Sequence, residues 1–286
     1  MNNKLVLANE GVFPITRNRE GQRLKQMPAT GLDLAGTIQG EGKLMGVPSL
    51  FVRLAGCNLR CIWQLPDGSF SRCDTPYASF DHPQDHSFLV NEVFDLVRHN
   101  TKHLQHLVIT GGEPLLQKKA LAPLLKQIKE KLDLHITIET NGTIFSEEVA
   151  PYIDLFSISP KLSNSEPSEK KLGTYGIKPS GPTTYHGEKR RNMGVLQDYI
   201  DFCRANDKDL QLKFVAARPS DPEEIKNDFL DHLKGWEASD IVLMPLGANA
   251  EELNTTSGLV LEMAIRNGWR FAPRIHIDVF GPKAGV

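Results

Sequence analysis

Three of the four cysteines in this chain, Cys57, Cys61 and Cys73, fall in one stretch, GCNLRCIWQLPDGSFSRCDT. Three residues separate the first pair, and eleven separate Cys61 from Cys73. Three thiolates can hold three irons of a four-iron cluster. The fourth iron is then open to a small molecule with adjacent amine and carboxylate groups. Zinc is the competing reading, because a structural zinc site takes four Cys or His ligands, commonly in close pairs, and His82 or His86 would have to complete it. A disulfide framework fits poorly, since the count is awkward and nothing marks secretion. The fourth cysteine, Cys203, lies far away in DFCRAND among helix formers, where a buried structural thiol is the simpler reading.

The elements that must carry this loop alternate between strand and helix patterns. PSLFVRLAG reads as a buried strand with the cysteines at its C-terminal end. FLVNEVFDLVRHN has helical periodicity in Val90, Val93, Phe94 and Val97. HLVITGGEP, HITIETNG, DLFSISPK, QLKFVAA, DIVLMPLG and FAPRIHIDVF read as further strands, with helices near 116–131, 193–204, 221–234 and 250–267. Such alternation predicts a parallel sheet in an α/β fold, as a modified or partial (β/α) barrel. The cysteines, GGEP, ETNG and SPK then all follow strand C-termini, the face where parallel barrels build active sites. Residues 1–32 are rich in charge and read as an irregular N-terminal extension to a domain spanning 33–286. Residues 162–192 are too long and polar for a tight connection and read as a disordered excursion or a lid.

Composition bounds the function classes. The chain has 286 residues, 40% hydrophobic and 24% charged, which suits one large α/β domain. A formal net charge of −2 gives no reason to expect nonspecific nucleic-acid binding. No apolar run approaches a membrane span and the N-terminus lacks the build of a secretory signal, so a cytoplasmic, reducing location is expected.

Taken together, Cys57-x3-Cys61, Cys73 and GGEP at 111–114 resemble the radical S-adenosylmethionine superfamily. More narrowly, TIQGEGKLMGVPSLFVRLAGCNLRC with CDT, ITGGEP, ETNG and SISPK is similar to the 7-carboxy-7-deazaguanine synthase family, well over residues 30–161 and in outline beyond. The spacing departs from the superfamily's two residues between second and third cysteines. QLPDGSFSR reads as a nine-residue insertion whose Pro66-Asp67-Gly68 turn brings Cys73 back. Trp63 and Arg72 both compete for the place beside the adenine.

The resemblance implies a lyase with a four-iron, four-sulfur cluster on Cys57, Cys61 and Cys73, S-adenosylmethionine and Mg2+. The reaction would contract the ring of 6-carboxy-5,6,7,8-tetrahydropterin to 7-carboxy-7-deazaguanine with loss of ammonia, on the route to queuosine and related 7-deazapurines. Cofactor contacts are implied for Arg72, Asp74, Gly112, Glu113, Thr140, Asn141, Ser159, Pro160 and Lys161, with Glu113 accepting from the methionine ammonium and the segment Glu139, Thr140 and Asn141 meeting the ribose. Ile38, Gln39, Gly40, Arg53 and Thr110 are implied for the pterin, and Thr75 for magnesium. Taken without the family, Glu113 is a capping residue, Asn141-Gly142 a turn, and Arg53 in LFVRLAG a structural ion pair. Lys213, Met244, Pro245, and His276 with Asp278 on one strand face, read as possible lining residues. An electron donor such as flavodoxin or ferredoxin and a homodimer are expected. The rival readings are an activase acting on a protein substrate, which gives no role to Gln39, Arg53 and Thr75, and a non-enzymatic iron–sulfur or zinc protein, which leaves GGEP unexplained.

Overall fold

The computed structural model describes residues 3–80, 86–283 and 285–286. His82, weighed above as a metal ligand, lies outside them. Strand β1 (Lys4–Phe13) runs antiparallel to β3 (Pro48–Leu54), and β2 (Thr37–Ile38) is also antiparallel to β3. Among the described residues strands β4 (Ile62–Gln64) and β5 (Phe70–Arg72) pair only with each other, and β6 (Ser87–Leu89) adds antiparallel to β1. From β3 onward the wall is parallel, through β7 (His106–Gly111), β8 (His135–Thr140), β9 (Leu155–Ile158), β10 (Asp209–Ala216), β11 (Ile241–Pro245) and β12 (Arg270–Phe271). Among the described residues β6 and β12 do not pair, so the sheet is a partial barrel with antiparallel strands on one flank.

The helices cover the outside. A short α1 (Pro76–Ser79) follows the cysteine loop. Helix α2 (Val90–Asn100) buries Val90, Val93, Phe94, Leu96 and Val97, and Glu92 caps its start by accepting from the Leu89 N–H at 2.8 Å. Helix α3 (Lys118–Leu132) turns Leu121, Leu124, Leu125 and Ile128 onto the same core and ends on Asp133 in the left-handed region. Each such side chain, fully buried, contributes about 1.5–3 kcal/mol of hydrophobic stabilisation. Three short helices follow β9, namely α4 (Glu169–Thr174), α5 (Gly181–Thr184) and α6 (His186–Lys189). Then come α7 (Met193–Asn206), α8 (Asp221–Asp228), α9 (Ala250–Asn267) and α10 (Ile275–Phe280). Among the described residues no helix is long and apolar enough to cross a membrane.

Three expectations are corrected. The N-terminal segment is irregular only after Phe13: before it, β1 buries Leu5, Leu7 and Val12 in the core. Its period of two is broken by a register shift between Leu7 and Val12, where Asn9 and Gly11 adopt positive φ, which hides the strand from a pattern reading. Residues 162–192 are neither disordered nor a loose lid. They pack through polar bonds, as when the Lys171 ammonium donates to the carbonyls of Asn164 at 2.6 Å and Glu166 at 2.8 Å. The last stretch, read as one strand, gives only Arg270–Phe271 before α10, so His276 and Asp278 lie on a short helix, with Asp278 exposed.

Candidate active site

The insertion in the cysteine loop is a β-hairpin. Ile62 pairs with Arg72, Trp63 with Ser71 and Gln64 with Phe70, and the turn closes where the Gly68 N–H donates to the Leu65 carbonyl at 3.0 Å. Gly68 has φ +88°, a conformation that an L side chain rarely adopts. At the open end of the hairpin the Cys73 N–H donates to the Cys61 carbonyl at 3.1 Å. Eleven residues of separation therefore collapse to neighbouring positions across two strands. Cys57, Cys61 and Cys73 pack together with Leu59, Trp63, Leu65, Ala217 and Leu246. Burial pushes the Cys57 thiol up to about 12 and the Cys61 thiol higher still, so these two sulfurs are protonated when no metal is bound.

These sulfurs line one wall of a cavity of about 550 Å³ at the C-terminal ends of the parallel strands. Among the described residues no three His, Cys, Asp or Glu side chains close around a single metal ion. His86 binds the Asn9 carbonyl through Nδ1 at 2.7 Å, so it is committed elsewhere.

The GGEP turn abuts this loop closely. A Cβ at Gly112 would stand 2.4 Å from the Gly56 carbonyl, and one at Gly111 2.2 Å from that of Leu54, so only glycine fits either position. The Glu113 carboxylate, expected to accept from an ammonium, is fully buried and does not line the cavity. It accepts instead from the Thr140 hydroxyl and the N–H groups of Leu115 and Asn141 at 2.8–3.0 Å, tying β7 to the end of β8. Its burial raises its pKa to about 7. Its side chain thus caps the turn that follows, accepting from the Leu115 N–H.

Thr140 and Asn141 line the cavity, and Asn141 Nδ2 donates to Asn58 Oδ1 at 2.8 Å and reaches Cys57 Sγ at 3.8 Å. Ser159 and Lys161 line it and bond each other at 2.7 Å, whereas Pro160 is buried behind them. Trp63 and Arg72 both reach the wall, with the Arg72 guanidinium 5.5 Å from the Tyr175 ring centre. Thr75 Oγ1 lies 3.4 Å from Cys73 Sγ, also on the wall.

Ile38, Gln39, Gly40, Arg53 and Thr110 also line the cavity. Glu139 joins two of them, accepting from Gln39 Nε2 at 3.2 Å and from the Thr110 hydroxyl at 2.8 Å. Its carboxylate is thus bonded to two of the residues implied for the pterin. Arg53 lies 5.2 Å from the Phe13 ring centre and 5.9 Å from that of Tyr77, and its buried Nε has no hydrogen-bond partner among the described residues. An unpaired buried guanidinium N–H is costly, and the structural ion pair considered for Arg53 is not present at that atom.

Sequence reasoning missed an ionic chain along the cavity wall. Glu41 pairs with both Lys213 and Arg274, and Arg274 pairs in turn with Asp74. Burial alone would raise the Glu41 carboxyl, but the Lys213 and Arg274 cations outweigh it and hold it well below its ordinary value. Lys213, Met244, Pro245 and His276 line the cavity as expected. Arg274 sits in the stretch misread as strand, which is why it was not singled out.

Residues 52–171 match the Radical SAM superfamily profile. Its members use a four-iron, four-sulfur cluster and S-adenosylmethionine, and the three-cysteine loop is the part of this chain that suits the cluster. A 7-carboxy-7-deazaguanine synthase of Halobacterium salinarum is 36% identical over 93% of this chain and 96% of its own. The synthase of Rhodopirellula baltica is 33% identical over 87% and 85% respectively. The crystal structure of QueE from Escherichia coli superposes with a TM-score of 0.53 over 92% of this chain and 93% of that one; at 22% identity it speaks to fold alone. With a partial barrel, a three-cysteine loop at its open face and relatives alike over most of their length, the chain belongs to the 7-carboxy-7-deazaguanine synthase family of the radical S-adenosylmethionine superfamily.

Proposed function

We propose that this enzyme contracts the ring of 6-carboxy-5,6,7,8-tetrahydropterin to 7-carboxy-7-deazaguanine with release of ammonia. The observation that carries the substrate end is Arg53, whose side chain lines a cavity shared with the cysteine loop and whose buried Nε has no hydrogen-bond partner among the described residues. A planar guanidinium offers paired donors in the geometry a carboxylate accepts, and supplying that carboxylate removes the cost of the orphaned N–H. In the same cavity, Glu139 holds Gln39 and Thr110, a set of acceptor, amide and hydroxyl that suits the mixed donors and acceptors of a pterin edge. Ile38 and Gly40 add backbone groups beside it.

When bound, the cluster and S-adenosylmethionine supply the one-electron cleavage that opens radical chemistry. This chain's residues position the partners. Cys57, Cys61 and Cys73 hold the cluster. Gly112, Thr140, Asn141, Ser159 and Lys161 form the adjoining wall for S-adenosylmethionine, with Arg72 or Trp63 at its adenine. Thr75 is the magnesium residue of this reading. Asp74 is committed to Arg274, so one neutral hydroxyl, substrate oxygens and water would complete an oxygen shell of the kind magnesium takes. A flavodoxin- or ferredoxin-type reductant and a homodimeric assembly belong to the same reading.

The test is anaerobic turnover. Reconstituted protein given S-adenosylmethionine, a one-electron reductant, magnesium and the tetrahydropterin should release the deazaguanine product. Protein that carries its cluster and cleaves S-adenosylmethionine but leaves the pterin unchanged would sink the substrate assignment.

A further inference from the structure

The enlarged cysteine loop poses a physical difficulty. A two-stranded hairpin is marginally stable by itself in water, yet here it delivers Cys73 to its place beside Cys61. Beside the packing of Trp63 and Leu65 on Ala217 and Leu246, its polar support comes largely from residues 162–192, the excursion that the sequence leaves unexplained.

Both free edges of the hairpin are held. Gln64 faces away from β5, and its N–H and carbonyl are both taken by the Asn164 side chain at 3.0 Å each. On the other strand the Tyr175 hydroxyl donates to the Phe70 carbonyl. Nearer the cysteines, the Arg60 N–H donates to Nδ1 of His186 at 3.1 Å. His186 Nε2 lies 3.0 Å from the Ser165 hydroxyl, which donates to the Leu162 carbonyl at 2.7 Å. An amide N–H can only donate, so Nδ1 must accept and Nε2 carries the ring proton. The direction of every bond from Arg60 to Leu162 is thereby fixed, and His186 and Ser165 are both fully buried. The excursion is anchored behind by Glu224 of α8, which accepts from the Ser163 N–H and hydroxyl at 2.5 and 2.7 Å and pairs with Arg190 at 3.2 Å.

We propose that residues 162–192 clasp the enlarged cysteine loop, with His186 as the positioning residue that holds the Arg60 amide and so fixes the turn from Cys57 to Cys61. This rests on the cluster reading above. Groups that orient metal ligands without touching the metal govern how firmly it is kept. His186 acts in that way on the backbone between two ligands, from an element nearly 130 residues further along the chain.

The test uses anaerobically reconstituted holoenzyme and follows iron release to a ferrous chelator, which needs no turnover, together with the electron paramagnetic resonance spectrum of the reduced cluster. His186→Phe keeps the bulk and removes the acceptor, and it should speed iron loss about 10-fold and alter the spectrum. His186→Asn places an amide oxygen near the position of Nδ1 and should restore the parent's rate. Ser165→Ala frees the ring and should fall between them; it also carries the test if His186→Phe does not fold. Iron release at the parent's rate in His186→Phe or, failing its folding, in Ser165→Ala overturns the clasp, as does equal acceleration by His186→Phe and His186→Asn. A parent that takes up no four-iron cluster would instead overturn the cluster reading, and the clasp with it.

Discussion

Cys61 and Cys73 face each other across the mouth of a hairpin, joined by a backbone hydrogen bond of 3.1 Å from the Cys73 N–H to the Cys61 carbonyl. Antiparallel pairing brings opposite residues together whatever the length of the intervening turn, so the cluster tolerates an insertion here that would scatter ligands in an irregular loop. Cys203 has no part in this arrangement. It is buried in α7, its thiol 4.0 Å from the Asp209 carbonyl.

The four cysteines should therefore separate cleanly. Replacing Cys57, Cys61 or Cys73 by Ser should abolish uptake of a four-iron cluster, measured as iron and sulfide per chain after anaerobic reconstitution. Cys203→Ala should keep the parent's stoichiometry and cost only about 1 kcal/mol of stability, as expected for losing one small buried group. A Cys203 variant that loses iron would show the ligand set to be wrong.

The central wall was legible because its strands are buried on both faces and read as short apolar runs, as in LFVRL for β3 and HLVIT for β7. The motif residues were legible because they sit at the ends of those strands, where the chain turns. What the sequence hid depends on contacts between distant residues. Glu41 acquires meaning only when Lys213 and Arg274 reach it from β10 and from the start of α10. The pattern around Arg274 misled in addition, since IHIDVF alternates like a strand yet is too short to exclude a helix. Residues 162–192 were opaque because their order comes from buried polar side chains such as Lys171, His186 and Arg190 rather than from an apolar period.

Arg53 should matter for capture of the pterin and little for the cofactor. Loss of a charge-assisted bond worth about 1.5–3 kcal/mol raises KM about 10- to 100-fold. Arg53→Ala should show that rise for the tetrahydropterin, while reductive cleavage of S-adenosylmethionine without substrate continues. Arg53→Lys keeps the charge without the planar fork and should lie between variant and parent. An unchanged KM in Arg53→Ala would remove this residue from the site.

Glu41 serves two cations, and Lys213 reaches one carboxylate by a direct ion pair. Truncating a member of a buried ion pair strands its partner, at about 3–5 kcal/mol. Glu41→Gln strands Lys213 and weakens the hold on Arg274, whereas Lys213→Met leaves Glu41 still paired with Arg274. Urea unfolding of the metal-free protein should accordingly show the larger loss for Glu41→Gln. Equal losses, or the reverse order, would mean that the chain from Asp74 to Lys213 is not coupled as its geometry implies.

Glu113 should leave a mark on the pH dependence of stability. Burial raises its pKa from 4.5 to about 7, so across that window the folded protein keeps a proton that the unfolded chain has already released. Folding is then favoured at the acid end of the window, and stability declines as pH rises through it, by roughly 3 kcal/mol in all. Above that window the penalty is constant. Glu113→Gln cannot titrate and lacks this slope, although it carries its own fixed cost from altered bonds to Thr140 and Asn141. Urea unfolding of the metal-free parent and variant at several pH values should therefore give curves that converge as pH rises through this window. Parallel curves would mean that the hydrogen bonds from Leu115, Thr140 and Asn141 outweigh burial and keep the carboxylate charged throughout.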